Sequence, residues 1–235
     1  MTERRPLILV INPNSNRAVT DGLSEVLEPL RSAGGPEIRC ETLSGTPFGI
    51  ESQADIDAVV EPLRRRVAEA GTAGEVEAFV IACYSDPGLA ACRQATDKPV
   101  FGIQESGILT AVARGGRYGV IALGAASIER HLRYQRERGL DARLAGERSA
   151  DLSVAESAGG DATFARLAEV GRALVEQDGA EVVILGCAGM ARHRPGLESA
   201  LGVPVIEPTQ AAVAMAVGAA ALAAEDGEAE DGGAG

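Results

Sequence analysis

What the chain has little of narrows its function first. Lys98 is its only lysine, His131 and His193 are its only histidines, and its four cysteines, Cys40, Cys83, Cys92 and Cys187, form no Cys-x-x-Cys pair. A zinc site needs a cluster of such ligands, so no metal is expected. The lone lysine has no distinctive setting, so a pyridoxal phosphate Schiff base is not expected either, and no cofactor is assigned. Positive charge is scarce, with 22 Lys and Arg against 34 Asp and Glu and a net charge of −12. Nucleic acid and anionic membrane surfaces require a basic face, so neither is an expected partner. No apolar run reaches membrane-spanning length, and the five residues from Leu7 to Ile11 are too few for the core of a signal peptide. Four cysteines without a secretory signal fit reduced thiols, and the expected location is the cytoplasm.

What is present is enough for an enzyme. A chain of 235 residues with 46% hydrophobic composition can bury a large core, as one α/β domain or as two lobes. Its most informative stretches are two copies of one pattern. Glu77 to Leu89 is an apolar, β-rich run that ends in Cys83 and then Pro87-Gly88, the pattern of a buried parallel strand that delivers a side chain at its carboxyl end. Glu181 to Met190 repeats it around Cys187. In both copies a glutamate precedes the cysteine by six residues, and a strand opening with Pro-Val follows, at Pro99 and Pro204. Two related half-domains are expected, each presenting one cysteine to a shared cleft.

The remaining chain fits this scheme. Leu7–Ile11 reads as the first strand and empties into Asn12-Pro13-Asn14-Ser15-Asn16, turn formers and helix caps whose backbone N–H groups suit a carboxylate or imide oxygen. Glu37–Leu43 is a weaker strand. Ile56, Val59, Val60, Leu63, Val67 and Ala70 share a helix face, with a kink or late start expected at Pro62. Asp86 reads as the cap of a helix with Pro87 at its first position. In the second half, Arg117–Ala122 is a strand, Ser127 caps a helix to Gly139 whose Arg130, Arg133, Arg136 and Arg138 form a solvated basic face, and Ala142–Leu144 is extended. Phe164 to Val175 traces another helix, and Pro208–Ala224 is a small-residue helix. The expected lobes are 1–104 with 209–224, and 105–208, each with a parallel sheet. Residues 225–235 carry five carboxylates and no large apolar side chain, and read as a solvated, disordered tail.

At this point the motifs resemble the aspartate/glutamate/hydantoin racemase superfamily, and most closely its hydantoin racemase branch. The matching segments are Asn12–Ser15, Ile50-Glu51-Ser52, Ile81–Leu89, Pro99–Ile103 and Leu185–Met190, within a resemblance that runs from about residue 7 to about residue 220. It implies a cofactor-independent racemase of two Rossmann-like lobes related by an internal pseudo-two-fold repeat, often a homo-oligomer, with one catalytic cysteine per lobe. The chain departs from the branch at Ser85, at Ala122-Leu123 and at Glu207-Pro208-Thr209, positions expected to line the cleft.

Racemisation takes a proton from one face of a carbon and returns one to the other, a geometry that two opposed bases supply. Cys83 and Cys187 are assigned these exchanging roles, with thiols activated by helix N-termini and more reactive than Cys40 and Cys92. Asn12, Asn14, Ser15, Ser85, Ala188 and Gly189 are assigned to the substrate, a small molecule. No motif carries a buried cation, Arg17 being the nearest, which favours a neutral 5-substituted hydantoin or allantoin over aspartate or glutamate. An arylmalonate-type decarboxylase fits less well, because such relatives keep only the second cysteine. A maleate isomerase is compatible with both cysteines, and a small-ligand-binding protein is the non-enzymatic alternative.

Overall fold

The computed structural model describes residues 5–231, with side chains through Ala223. Eight strands alternate with helices: β1 Leu7–Asn12, α1 Arg17–Val26, β2 Glu37–Thr42, α2 Gln53–Thr72, β3 Val76–Ile81, α3 Leu89–Gln94, β4 Val100–Gly102, α4 Ile103–Ala113, β5 Tyr118–Ala122, α5 Ala125–Glu137, β6 Leu144–Ser149, α6 Asp161–Glu176, β7 Val182–Leu185, α7 Arg194–Leu201, β8 Val205–Ile206 and α8 Pro208–Asp231. The strands form two four-stranded parallel sheets, β2-β1-β3-β4 and β6-β5-β7-β8. The second sheet repeats the order of the first.

Burial explains which strands sit in the middle. Every residue of β1, β5 and β7 is buried, as a parallel strand covered on both faces requires. Edge strand β2 alternates charge instead, at Glu37, Arg39 and Glu41. The pleat then divides β1: Leu7, Leu9 and Ile11 face the α2 side with Val59, Leu63 and Val67, whereas Ile8 and Val10 join a cluster that also holds Val120, Val182 and Ile184 of the second sheet. That shared cluster welds the inner faces together through α1, α4 and α8. A third cluster packs α6 on the outer face of the second sheet through Leu167, Leu174 and Val183.

Several local expectations are corrected. Helix α2 has no late start, because Ser52 and Asp55 form a reciprocal capping box ahead of Gln53; Pro62 lies within the helix, whose Val59, Leu63, Val67 and Ala70 are buried. Ser127 is not the cap of α5 but lies in its first turn, donating to Gly124 O at 2.7 Å. The piece near Leu144 is a full strand, β6. Helix α4 had no counterpart in the sequence reading: its apolar positions show no one-sided period because it packs against α8 and also β7. Helix α8 continues past Ala224 to Asp231, and residues 232–235 of the expected acidic tail, like residues 1–4, lie outside the described residues. Among the described residues no helix is long and apolar enough to cross a membrane.

Candidate active site

Cys83 and Cys187 sit on loops with the same construction, each two residues beyond its strand. Ala82 N–H donates to Ile11 O at 2.9 Å, and Gly186 N–H donates to Ile121 O at 2.8 Å, so each loop is still tied to the neighbouring central strand. Each cysteine carbonyl then accepts from the amide three residues on, Asp86 at 3.0 Å and Met190 at 3.1 Å. Close approach is required at Gly186, where a Cβ would stand 2.5 Å from the Ile121 carbonyl oxygen. The repeat seen in the sequence is therefore a repeat in how the thiols are presented.

One cavity of about 240 Å³ has both cysteines in its wall, with Asn14, Ser85, Ala188 and Gly189. Asn12 and Ser15 are not among its lining residues. Asn12 is fully buried and organises the loop instead, its Nδ2 donating to Asn14 Oδ1, Asn16 O and Thr20 Oγ1 at 3.0–3.1 Å. Asn14 Oδ1 also accepts the Asn16 N–H, which leaves Asn14 Nδ2 as the group that residue can offer a ligand. Of the departures noted in the sequence, Ser85 and Leu123 line the cavity. Glu207 does not; it accepts the Thr209 and Gln210 amides at the start of α8.

The structure adds residues that sequence reasoning left out. Arg130 lines the cavity, donating to Ala126 O at 2.8 Å and to Glu51 O in the other lobe at 3.0 Å. The basic face of α5 is thus not simply solvated, and the cavity does contain a cation. Arg17, the cation singled out from sequence, is exposed. Glu51 also lines the cavity and bonds Val154 N–H at 2.9 Å; its place inside the Ile50-Glu51-Ser52 motif was the available signal. Ser157, with no motif to mark it, is buried 3.9 Å from Cys187 Sγ, and a Cβ on Gly189 would stand 2.0 Å from its Oγ. Buried His131, paired through Nδ1 with Glu147 at 2.5 Å, stacks edge-on against Tyr84. Val19, Ile50, Leu152 and Val154 supply an apolar wall.

Both thiols are held protonated near neutrality. Each keeps some surface open to the cavity, but the dense protein around it disfavours charge, and this burial is the leading cause in both. It pushes Cys83 up to about 12, against the Ser85 backbone N–H and Arg130, which favour the thiolate. It raises Cys187 too, against the Gly189 N–H, which lies 3.4 Å from Sγ, and against Ser157. The expectation of thiols activated by helix N-termini is corrected accordingly: burial outweighs the one backbone N–H at Cys83 and the two at Cys187. Because the thiolate is the reactive form, alkylation by iodoacetamide should be slow at pH 7 and gain about tenfold per pH unit up to pH 9, without a plateau. Peptide mass spectrometry checks this, and a plateau below pH 8 at Cys83 would contradict it.

Comparison with known proteins shows the family. The model of the Asp/Glu/Hydantoin racemase family matches residues 8–216. The chain belongs to that family. A hydantoin racemase of Paenarthrobacter aurescens is 34% identical over 217 residues, covering 92% of this chain and 91% of the relative. Among solved structures, the allantoin racemase from Klebsiella pneumoniae superposes with a TM-score of 0.86 at 30% identity, over 93% of this chain and 89% of that one. The allantoin racemase from Pseudomonas fluorescens gives 0.86 at 25% identity, over 92% of each chain. The protein is an isomerase of the racemase kind, built on the fold shared with these neighbours. Its cavity faces the N-terminus of α5, which no side chain among the described residues caps, so the Ala125 and Ala126 amides are open donors for an oxygen atom.

Proposed function

We propose that this racemase inverts C5 of a 5-substituted hydantoin, allantoin included, with Cys83 and Cys187 alternating as base and acid. The observation that carries the reading is the single cavity walled by two thiols on equivalent loops. A thiolate on one loop takes the C5 proton, the charge spreads onto the adjoining carbonyl oxygen, and the thiol on the other loop returns a proton to the opposite face. The open amides of α5 and Asn14 Nδ2 are suited to the developing oxyanion. A neutral ring also fits the charges present. Arg130 spends both terminal nitrogens on backbone carbonyls and Glu51 Oε1 accepts a backbone amide, so the fork that would clamp an amino acid's carboxylate is turned to the protein's own backbone. The named hydantoin and allantoin racemases among its relatives support the same substrate class.

Proton NMR in D₂O tests this on enzyme dialysed against EDTA, using hydantoins, allantoin, aspartate and glutamate. Deuterium should enter C5 of the hydantoins together with inversion, and neither amino acid should exchange. Exchange confined to aspartate or glutamate would refute the reading, and dependence of turnover on restored metal would refute the two-thiol mechanism.

A further inference from the structure

Two thiols and the amides around them leave one buried ionisable pair without a role. His131 of α5 and Glu147 of β6 are shut off from water, with side-chain exposures of 3% and 0%, and Nδ1 lies 2.5 Å from Glu147 Oε1. The other ring nitrogen, Nε2, has no partner among the described residues, yet it is not sealed in as His193 Nε2 is. It keeps surface, and His131 borders both the thiol cavity and a smaller cleft of about 180 Å³ beside α5. The ring stands edge-on to Tyr84 with centroids 5.0 Å apart, and Tyr84 borders the thiol cavity but not the cleft. Helical side chains lean toward the N-terminus of their helix, which here is the end with the open Ala125 and Ala126 amides. Nε2 is thus turned to the chamber that the two thiols share.

The burial of the pair fixes which nitrogen carries a proton. A lone charge is costly where water is excluded, so His131 and Glu147 together carry no net charge. Either an imidazolium faces the carboxylate, or a carboxyl group donates to Nδ1 of a neutral ring. Nε2 bears an N–H in both arrangements. We propose that His131 is a further catalytic residue, its Nε2–H donating to the C4 carbonyl oxygen of the hydantoin as C5 loses its proton; this rests on the hydantoin reading above. The thiolate takes the C5 proton, the C5–H electron pair moves onto the C4 oxygen, and the second thiol returns a proton to C5, while the Nε2 proton stays on nitrogen. Such a bond strengthens as the oxygen becomes negative, so it lowers the barrier more than it tightens substrate binding. The C4 oxygen is common to both faces of the ring, so one donor serves proton removal by either cysteine.

The first test reads the wild-type chain. Its two histidines, labelled with ¹⁵N and told apart by His193→Gln, should show His131 Nε2 with a bonded proton at neutral pH; a bare Nε2 overturns the proposal whether or not any variant folds. The second test is His131→Asn, whose amide nitrogen stands in for Nδ1 beside Glu147 and places nothing where Nε2 was. Its kcat/KM on 5-isobutylhydantoin should fall by about 10²-fold with KM nearly unchanged, the usual effect of deleting one oxyanion donor. A loss below about threefold overturns the proposal. The third test separates a donor from a brace, by combining His131→Asn with Cys83→Ser and with Cys187→Ser and following deuterium uptake at C5 by the thiol that remains. Equal losses in the two backgrounds are expected; a loss confined to the chain that keeps Cys83 would mean that His131 only supports that turn through Tyr84. Wild-type inactivity on every hydantoin would instead overturn the substrate reading, on which the ¹⁵N result does not depend.

Discussion

Replacing Cys83 or Cys187 by serine is expected to abolish net inversion, a loss of about a thousandfold or more, while leaving one half of the chemistry visible. General acid–base groups of this kind contribute about 10²–10⁴ each, and a serine hydroxyl is a far weaker acid than a thiol, so almost none of it is in the basic form that could take the proton. Because the two loops have the same hydrogen-bonded turn, the remaining cysteine keeps its own presentation. It should still take a proton from one enantiomer and return deuterium to the same face. Each single variant should therefore exchange one enantiomer in D₂O without inverting it, and the two variants should prefer opposite enantiomers. A nucleophilic isomerase gives no such mirror-image pair, and a decarboxylase needs only one of the cysteines. Undiminished racemisation by either variant would remove the two-base mechanism. The pH dependence adds a second check, since both resting thiols are raised by burial: the wild-type rate should climb as pH rises above neutrality, where the first thiolate forms, and fall only once both have ionised.

The parts of this site that were legible in the sequence are those that the backbone dictates. A buried parallel strand has to be apolar, has to end in a turn and presents its next side chain at the ligand end of the sheet, so Cys83 and Cys187 announced themselves twice in one pattern. Ser85, Ala188 and Gly189 lay inside the same turns, and Asn14 in the turn after β1. Asn12 was legible as part of the turn after the first strand and was assigned to the substrate, but only geometry shows that its amide is spent on the loop. Contacts between lobes were the blind spot. Arg130 looks like any arginine on a basic helix until α5 is docked against Glu51 of the other lobe, and nothing local marks Ser157 as a neighbour of Cys187. The pKa direction failed for a related reason, because helix starts and N–H donors can be read from residue order while the burial that outweighs them is a property of the packed cavity. Helix α4 was lost because packing on several sides erases the periodicity by which a helix is recognised.

The largest expected effect on stability concerns Asp86, and it comes from a place where the two lobes differ. In the first lobe, Asp86 Oδ1 and Oδ2 accept the Gln104 and Glu105 amides of α4, both at 2.9 Å. In the second, Glu207 accepts the corresponding amides of α8, Thr209 at 3.0 Å and Gln210 at 2.6 Å. The sequence reading made Asp86 the cap of its own following helix; it caps α4 instead, and α3 begins after Gly88 with no side-chain cap. One lobe draws the carboxylate from the cysteine loop and has Gly102 before the helix, where a Cβ would stand 2.3 Å from the Asp86 carboxyl carbon. The other has fully buried Met190 at the loop position and Glu207 before the helix. Asp86 also accepts from Tyr134 Oη of α5 at 3.1 Å, so it joins the Cys83 loop to both lobes. Asp86→Ala leaves two helix amides without a partner and the Tyr134 phenol with only a 3.5 Å contact to Glu105 Oε2, and is expected to cost about 3 kcal/mol or more at pH 7 and to depress racemisation through the loosened Cys83 turn. Burial, the leading cause, raises the Asp86 carboxyl from 3.8 to about 6 despite those donors. The folded state therefore holds this proton more tightly than the unfolded chain, so the contribution of Asp86 is largest below pH 4 and falls by roughly 2–3 kcal/mol as pH rises to 6. Urea denaturation from pH 4 to 7.5 should show that decline in the wild type and a flatter profile in Asp86→Ala; parallel profiles would mean that another group carries it. The asymmetry also supplies a rescue. Gly102 has an ordinary φ of −92°, so Asp86→Met combined with Gly102→Glu reproduces the second lobe's arrangement in the first, and should recover at least half of the stability that Asp86→Met alone loses. A double variant no more stable than the single one would show that the two caps are not interchangeable.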